Sequence, residues 1–270
     1  MTAELKAWVT QPDAFPPPEP DWADAGIALG TLHPNGDAGG DYPLDGRELY
    51  RGTLQTIARV RRRLCGQRRD EPLIWCDLDR LRCSYYAPRL PPGTWLQEGA
   101  YWAPLGLLND VRFRSRGDRF VRPDAGDKPF TGQVVRSGYE AGDLEIIRRQ
   151  APPETLCVVA DAQEVTDEYR AVVRERIDGG CEVVTGCRYG SPTDDDVEAG
   201  LPDDVADFLR DVMEGFHGVG DPMFVADAAR LADGRVKVLE LNGLSTSGLY
   251  ACDARAIVDA AKAAVRDWYA

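Results

Sequence analysis

"DGRVKVLELNGL", residues 233–244, is a short apolar run that begins at Asp-Gly and ends on a carboxylate and an amide two positions apart. Asp-Gly ahead of an alternating run signals a hairpin turn. Extended side chains alternate with period 2, so Lys237, Leu239 and Leu241 are expected to point one way and Val238, Glu240 and Asn242 the other. The preceding "DPMFVADAARL" supplies the first arm, and a turn at Asp233-Gly234 sets Asp227 opposite a residue near 240. Asp227, Glu240 and Asn242 then meet on one face. Two carboxylates and an amide are hard oxygen donors suited to Mg²⁺, which keeps waters and binds together with substrate phosphates. A polar, solvated sheet face is the other reading of the same trio.

A second hairpin lies upstream. "EYRAVVRERIDGGCEVVTGCRYG" (168–190) is two alternating runs around Asp178-Gly179-Gly180. Counted from that turn, Arg170 and Arg188 fall nearly opposite each other, which is unfavourable unless an anion lies between them or both are solvated on an exposed face. "TLCVVAD" (155–161) reads as a short strand. "PDDVADFLRDVMEGF" (202–216) opens with Pro and acidic residues and has Val205, Phe208, Leu209, Val212 and Phe216 at helical spacing. "DARAIVDAAKAAVRDWY" (253–269) predicts a closing helix. The second half is therefore expected to be an antiparallel sheet with helices on one side, an α+β arrangement.

Earlier in the chain, "FVRPDAGDKPFTG" (120–132) carries Arg122 and Lys128 around a loop with Gly126 and Gly132. Such a segment can present positive charge and backbone N–H groups to phosphate oxygens, although its glycine spacing is not that of a Walker loop. "RCSYYAPRLPPGTWLQEGAYWAPLGLL" is dense in aromatics and prolines and reads as an irregular connector against a core. A boundary is expected near residue 110. Before the connector, "PLDGRELYRGTLQTIARVRRRL" predicts a helix, with Leu49, Thr53, Ile57, Val60 and Leu64 on one side, and "PLIWCDL" a buried strand. The first forty residues, rich in Pro and Gly, suggest loops around one or two short strands.

Composition narrows the function classes. With 270 residues, 43% hydrophobic and 29% charged, the chain can bury a sizeable core. A net charge of −13 disfavours bulk attraction to nucleic acid or anionic membrane. The sign is uneven: "RVRRRLCGQRRD" (59–70) is basic and "SPTDDDVEAGLPDD" (191–204) acidic. Seven cysteines without CxxC spacing argue for reduced, structural thiols, and only His33 and His217 are available to a histidine site. No run is long enough to span a bilayer and the start lacks signal-peptide order, so a cytoplasmic address is expected.

Taken in order, Asp227 followed by Glu240-x-Asn242 resembles the metal-binding signature of the ATP-grasp ligases. "FVRPDAGDKPFTG", the "EYRAVV…GCRYG" hairpin and "RCSYYAPRL" further resemble a clade of short bacterial and phage ATP-grasp proteins, across most of residues 75–255. The resemblance implies an ATP-grasp fold of antiparallel sheets with flanking helices, preceded by a smaller α/β N-terminal domain. It divides the chain into 1–110, a substrate-shaping domain, and 111–270, an ATP-grasp domain with nucleotide between 111–160 and 161–270. It implies that Asp227, Glu240 and Asn242 hold Mg²⁺ bridging the ATP phosphates, that Arg122 and Lys128 contact phosphates, and that Val158, Val159 and Asp161 belong to a hinge whose backbone recognises adenine. Asp161 or Glu164 faces the ribose in that scheme, and Arg170 and Arg188 sit over the transferring phosphoryl group or the acceptor. Many family members have lysines where this chain has arginines, and "DAGDKPFTGQ" is shorter than the usual Gly-rich loop. The activity implied is carboxylate–amine ligation through an acyl phosphate. A phosphotransferase and a silent nucleotide-binding interaction protein are the alternatives. The substrates implied are a carboxylate and an amine on a small molecule, peptide or protein terminus, with a homodimer as the family habit.

Overall fold

The computed structural model describes residues 4–40, 47–64, 73–108, 117–190 and 197–269. The expected boundary at residue 110, Cys65, and parts of the basic (65–70) and acidic (191–196) runs lie outside the described residues.

Three sheets follow one another. The first has the order β3-β2-β1-β4, from β1 (Leu5–Thr10), β2 (Ala28–Leu32), β3 (Ala38–Gly39) and β4 (Arg47–Arg51). β1 runs parallel to both β2 and β4, which requires long crossovers, and the Pro-rich stretch between β1 and β2 is one of them. The helix expected over 43–64 is thus shorter. Its first part is strand β4, and α1 occupies Leu54–Leu64, with Ile57 and Val60 packed on Ala7, Val9 and Tyr50. Three of its arginines are engaged locally: Arg59 donates to the Pro34 carbonyl, Arg61 to the Cys76 carbonyl at 3.2 Å, and Arg63 pairs with Asp37.

"PLIWCDL" is extended and buried but forms no strand. Leu73 makes a single bridge to Leu49, and the chain then leaves the sheet: Trp75 N–H donates to Ser245 Oγ at 2.9 Å, and the Trp75 carbonyl accepts from Ser245 N–H at 3.1 Å. Its hydrogen bonds go to the turn after the last strand. The connector that follows contains the short helix α2 (Cys83–Tyr86), and residues 94–96 cover the free edge of the third sheet through Leu96 N–H to Val238 O and Val238 N–H to Thr94 O.

The second sheet has the order β5-β8-β6-β7, from β5 (Tyr101–Pro104), β6 (Arg119–Pro123), β7 (Gln133–Val135) and β8 (Leu156–Asp161). It is antiparallel and reaches across residue 110, since β5 pairs with β8. Helix α3 (Glu140–Arg148) covers it through Leu144 and Ile147.

The third sheet is antiparallel, in the order β11-β10-β9-β12-β13. Its strands are β9 (Val165–Glu175), β10 (Cys181–Gly190), β11 (Glu198–Ala199), β12 (Met223–Leu231) and β13 (Val236–Gly243). Its helices lie on opposite faces rather than on one side. α4 (Asp203–Glu214) packs Val205, Leu209 and Val212 on Ala171, Val173 and Ala226. α5 (Ala254–Tyr269) packs Ile257, Ala261 and Val265 on Val172 and Val225, and shares that core with Trp8 and Leu49 of the first sheet. Adjacent residues of β9 and β12 are therefore buried alternately in two cores. This is why "EYRAVV" and "MFVADAA" read as nearly continuous apolar runs.

Gly243 ends β13 where the 73–77 segment crosses it. A Cβ there would lie 2.7–2.8 Å from Cys76 Cβ, Cα and Sγ, although the backbone φ of −74° is open to any residue. Gly243→Ala is expected to cost about 1–3 kcal/mol by overpacking, read as a lowered midpoint in urea unfolding. An unchanged midpoint would mean the crossing is looser than described.

Candidate active site

β12 and β13 pair with Asp227 opposite Glu240 and Val225 opposite Asn242, as the turn at Asp233-Gly234 requires. One residue farther on the register slips, so that Ala228 meets Val238 and Leu239 is the extra residue of a bulge. Val238 consequently does not share a face with Glu240 and Asn242 as simple alternation implies; it is fully buried in the α4 core. The bulge also lets Leu239 and Glu240, sequence neighbours, both line one cavity.

β9 lies on the other side of β12 and sets Arg170 opposite Asp227. Asp227 is fully buried, and its carboxylate accepts from Arg170 Nε at 2.8 Å and Nη2 at 2.7 Å. The remaining arm of Arg170 donates to the Gly248 carbonyl at 2.7 Å. Burial opposes the arginine's charge, but the Asp227 carboxylate more than restores it and holds the guanidinium pKa well above its ordinary value. The rings of Tyr189 and Tyr250, stacked with centroids 5.0 Å apart, lie 4.8 and 5.1 Å from that guanidinium.

Arg188 is elsewhere. Register shifts in β10 put Cys187 opposite Arg170 and Arg188 opposite Tyr169, so the two arginines lie on opposite faces and do not flank one anion. Arg188 donates to Glu198 at 3.1 Å and lies 3.5 Å from Asp167. Arg170 is held by Asp227 and acts through it.

Glu240 draws its partners from the second sheet. Arg122 Nη2 donates to Oε2 at 2.5 Å and Lys128 Nζ to Oε1 at 2.6 Å, while Asn242 Nδ2 donates to Glu240 Oε1 at 2.9 Å and to Asp227 Oδ2 at 3.0 Å. Burial works to raise the Glu240 pKa, but the charges of Arg122 and Lys128 and the hydrogen bonds from Lys128 and Asn242 override it and hold the carboxyl well below the usual range. Three cations face two carboxylates in this cluster.

The cluster forms one end of a cavity of about 430 Å³ between β6–β7 and β9–β10–β13. The remaining wall is largely apolar, with Leu96, Phe120, Phe130, Val134, Val165 and Leu239. Gly132 permits this closeness, since a Cβ there would sit 2.4 Å from the Phe120 ring. Arg122, Lys128, Asp161 and Glu240 line the cavity, and exposed Asp161 also pairs with Arg119. Val158 and Val159 do not line it. They are buried mid-strand in β8, laddered to β5 on one side and β6 on the other, so their backbone cannot serve as a recognition hinge. Exposed Glu164 lies outside the cavity wall, while Glu168 and Gln163 line it. Glu168 accepts from Tyr189 OH at 2.7 Å, and burial pushes its carboxyl up. Its period-2 relation to Arg170 is the signal that could have found it. Ser245 and Ser247, hydroxyls of the turn after β13, are buried and bonded to backbone, fastening that turn.

Among the described residues, no three Asp, Glu, His or Cys side chains form a ready metal cluster. Cross-strand pairing nevertheless groups two carboxylates and an amide. Asp227 Oδ1 carries only the Arg170 bond, and the Glu240 oxygens are held by side chains that phosphates would compete for. This donor set fits Mg²⁺, which takes one or two carboxylates and completes its shell with water and phosphate oxygens.

Residues 83–260 match a family model for the ATP-grasp domain, the third family of its clade. The chain belongs to this ATP-grasp family. Its structure is similar to that of D-cycloserine synthetase DcsG, with TM-score 0.62 and 14% identity over 97% of this chain and 99% of the other. It is also similar to the ATP-grasp ligase PsnB complexed with a minimal precursor, with TM-score 0.52 and 17% identity over the same shares. No curated protein sequence matches it. At these identities the likeness is one of fold. Among the described residues no helix of this ATP-grasp protein is long and apolar enough to cross a membrane.

The depressed Glu240 pKa makes a signed prediction. A carboxyl whose folded pKa lies below its unfolded value adds stability that is full above about pH 5 and fades as pH falls through and below the ordinary glutamate pKa of about 4.3. Glu240→Gln, which leaves Arg122 buried without its partner, is expected to lose roughly 3 kcal/mol at pH 7. In urea titrations the gap to the parent should narrow as pH is lowered below 5; a gap independent of pH would contradict the assignment.

Proposed function

We propose that this ATP-grasp protein is a Mg-ATP-dependent carboxylate–amine ligase. The observation that carries the reading is the cavity itself: an apolar slot between two sheets that ends in Arg122, Lys128 and Glu240. An apolar slot suits a nucleobase, and a cationic end suits polyphosphate. In this reading the base lies among Phe120, Val165 and Leu239, with Asp161 or Glu168 toward the ribose. Arg122 and Lys128 leave Glu240 to hold phosphate oxygens. Asp227, Glu240 and Asn242 hold Mg²⁺, which when bound neutralises phosphate charge.

The chemistry then needs positioning more than covalent catalysis. A substrate carboxylate oxygen attacks the γ-phosphorus, the bond from that phosphorus to the β,γ-bridging oxygen breaks, and ADP leaves. An amine next attacks the acyl carbon, inorganic phosphate departs, and the amine proton passes to solvent or a nearby base. No protein nucleophile is required, which agrees with six buried, free cysteines among the described residues. Arg170 acts as a positioning residue for Asp227. The first sheet, the connector and the turn after β13 shape the acceptor side, and the nucleotide lies between the second and third sheets. D-cycloserine synthetase and a ligase complexed with a minimal precursor are the structural neighbours, so both small molecules and peptides belong in the substrate screen.

Purified protein with Mg-ATP and pooled carboxylates and amines is expected to release ADP and phosphate only when both pools are present, and Asp227→Ala and Glu240→Ala to lose that release. ADP release without amine or free phosphate would identify a phosphotransferase. Nucleotide binding with no turnover in any pool would favour a binding protein.

A further inference from the structure

We propose that Gln97 reads the nucleobase and selects adenine over guanine; this rests on the nucleotide reading of the cavity given above. Gln97 lines that cavity and is only 2% exposed, yet neither its Nε2 nor its Oε1 has a hydrogen-bond partner. A buried donor and acceptor left unpaired on one side chain are costly, and native structures rarely keep them without a use.

The backbone around Gln97 is fixed. Leu96 N–H is bonded to Val238 O at 2.9 Å, Ala100 N–H to Gln97 O at 3.0 Å, and Trp95 is stacked on Trp102 at 6.0 Å. Gln97 therefore follows a residue tied to β13 next to the bulged Leu239, itself part of the apolar wall. Other readers of a base edge are occupied or solvated. The Val158 and Val159 backbone is laddered on both sides, Arg122 is committed to Glu240 and to the Leu239 carbonyl, and Gln163 is exposed.

The chemistry of the amide names the base. A glutamine amide offers one acceptor beside one donor, which matches the N6–H donor and N7 acceptor of adenine. Guanine presents O6 and N7, two acceptors, and would leave the amide oxygen facing another oxygen.

The test is the affinity of the full chain, with Mg²⁺, for ATP, GTP and 7-deaza-ATP by isothermal titration calorimetry, in the parent and in Gln97→Leu. The parent is expected to prefer ATP over each of the other two by about tenfold or more, the scale of one bidentate contact. Gln97→Leu, similar in volume and without polar atoms, is expected to bind ATP more weakly and to lose most of both preferences. Misfolding would weaken all three ligands together and leave their ratios in place, so the ratios report recognition. ATP binding with both ratios unchanged in Gln97→Leu overturns the role of Gln97 and leaves the nucleotide site standing. A parent that binds none of the three overturns the nucleotide reading and this inference with it.

Discussion

The carboxylate of Glu240 joins the two sheets that enclose the cavity. It sits on β13 at the edge of the third sheet, and its partners Arg122 and Lys128 come from β6 and the loop after it, in the second. A buried carboxylate is tolerated only with cations and hydrogen bonds close by, so the second sheet must approach closely enough to supply them. The cavity is the space that this approach encloses. Although the chain as a whole carries −13, the cluster holds Arg122, Lys128 and Arg170 against Asp227 and Glu240. That local excess of positive charge is what a polyphosphate meets.

Strand register decides which side chains belong to this cluster. β12 lies between β9 and β13, so Asp227 has Arg170 on one side and Glu240 on the other. A slip of one residue in either pairing would send one of them into an apolar core, because both faces of the sheet are covered by helices. The bulge at Leu239 is the local departure that aims an apolar and a charged neighbour into the same space. Bulges beside reactive groups have this re-aiming role elsewhere.

Much of this is legible in the sequence, for identifiable reasons. Asp-Gly at 233–234 fixes a two-residue turn, and the pairing of Asp227 with Glu240 follows by counting from it, as does the face shared with Asn242. The ordered metal-ligand residues and the "FVRPDAGDKPFTG" loop then point to the family that the match over residues 83–260 shows. Counting fails where the ladder is irregular. The bulge removes Val238 from the expected face, and the shifts within β10 separate Arg188 from Arg170. "RELYR" reads as helix because a parallel strand buried on both faces carries no alternation. "PLIWCDL" reads as strand because apolar content does not say where backbone hydrogen bonds go. Gln97 and Leu239 enter the cavity through an edge pairing and a bulge, neither of which leaves a periodic trace.

A crystal structure with Mg²⁺ and a non-hydrolysable ATP analogue tests the central claim most directly. The account predicts the base between the second and third sheets, Arg122 and Lys128 turned from Glu240 onto phosphate oxygens, and the metal on Glu240 and Asn242 beside Asp227. Nucleotide bound elsewhere, with both ion pairs to Glu240 intact, would contradict it.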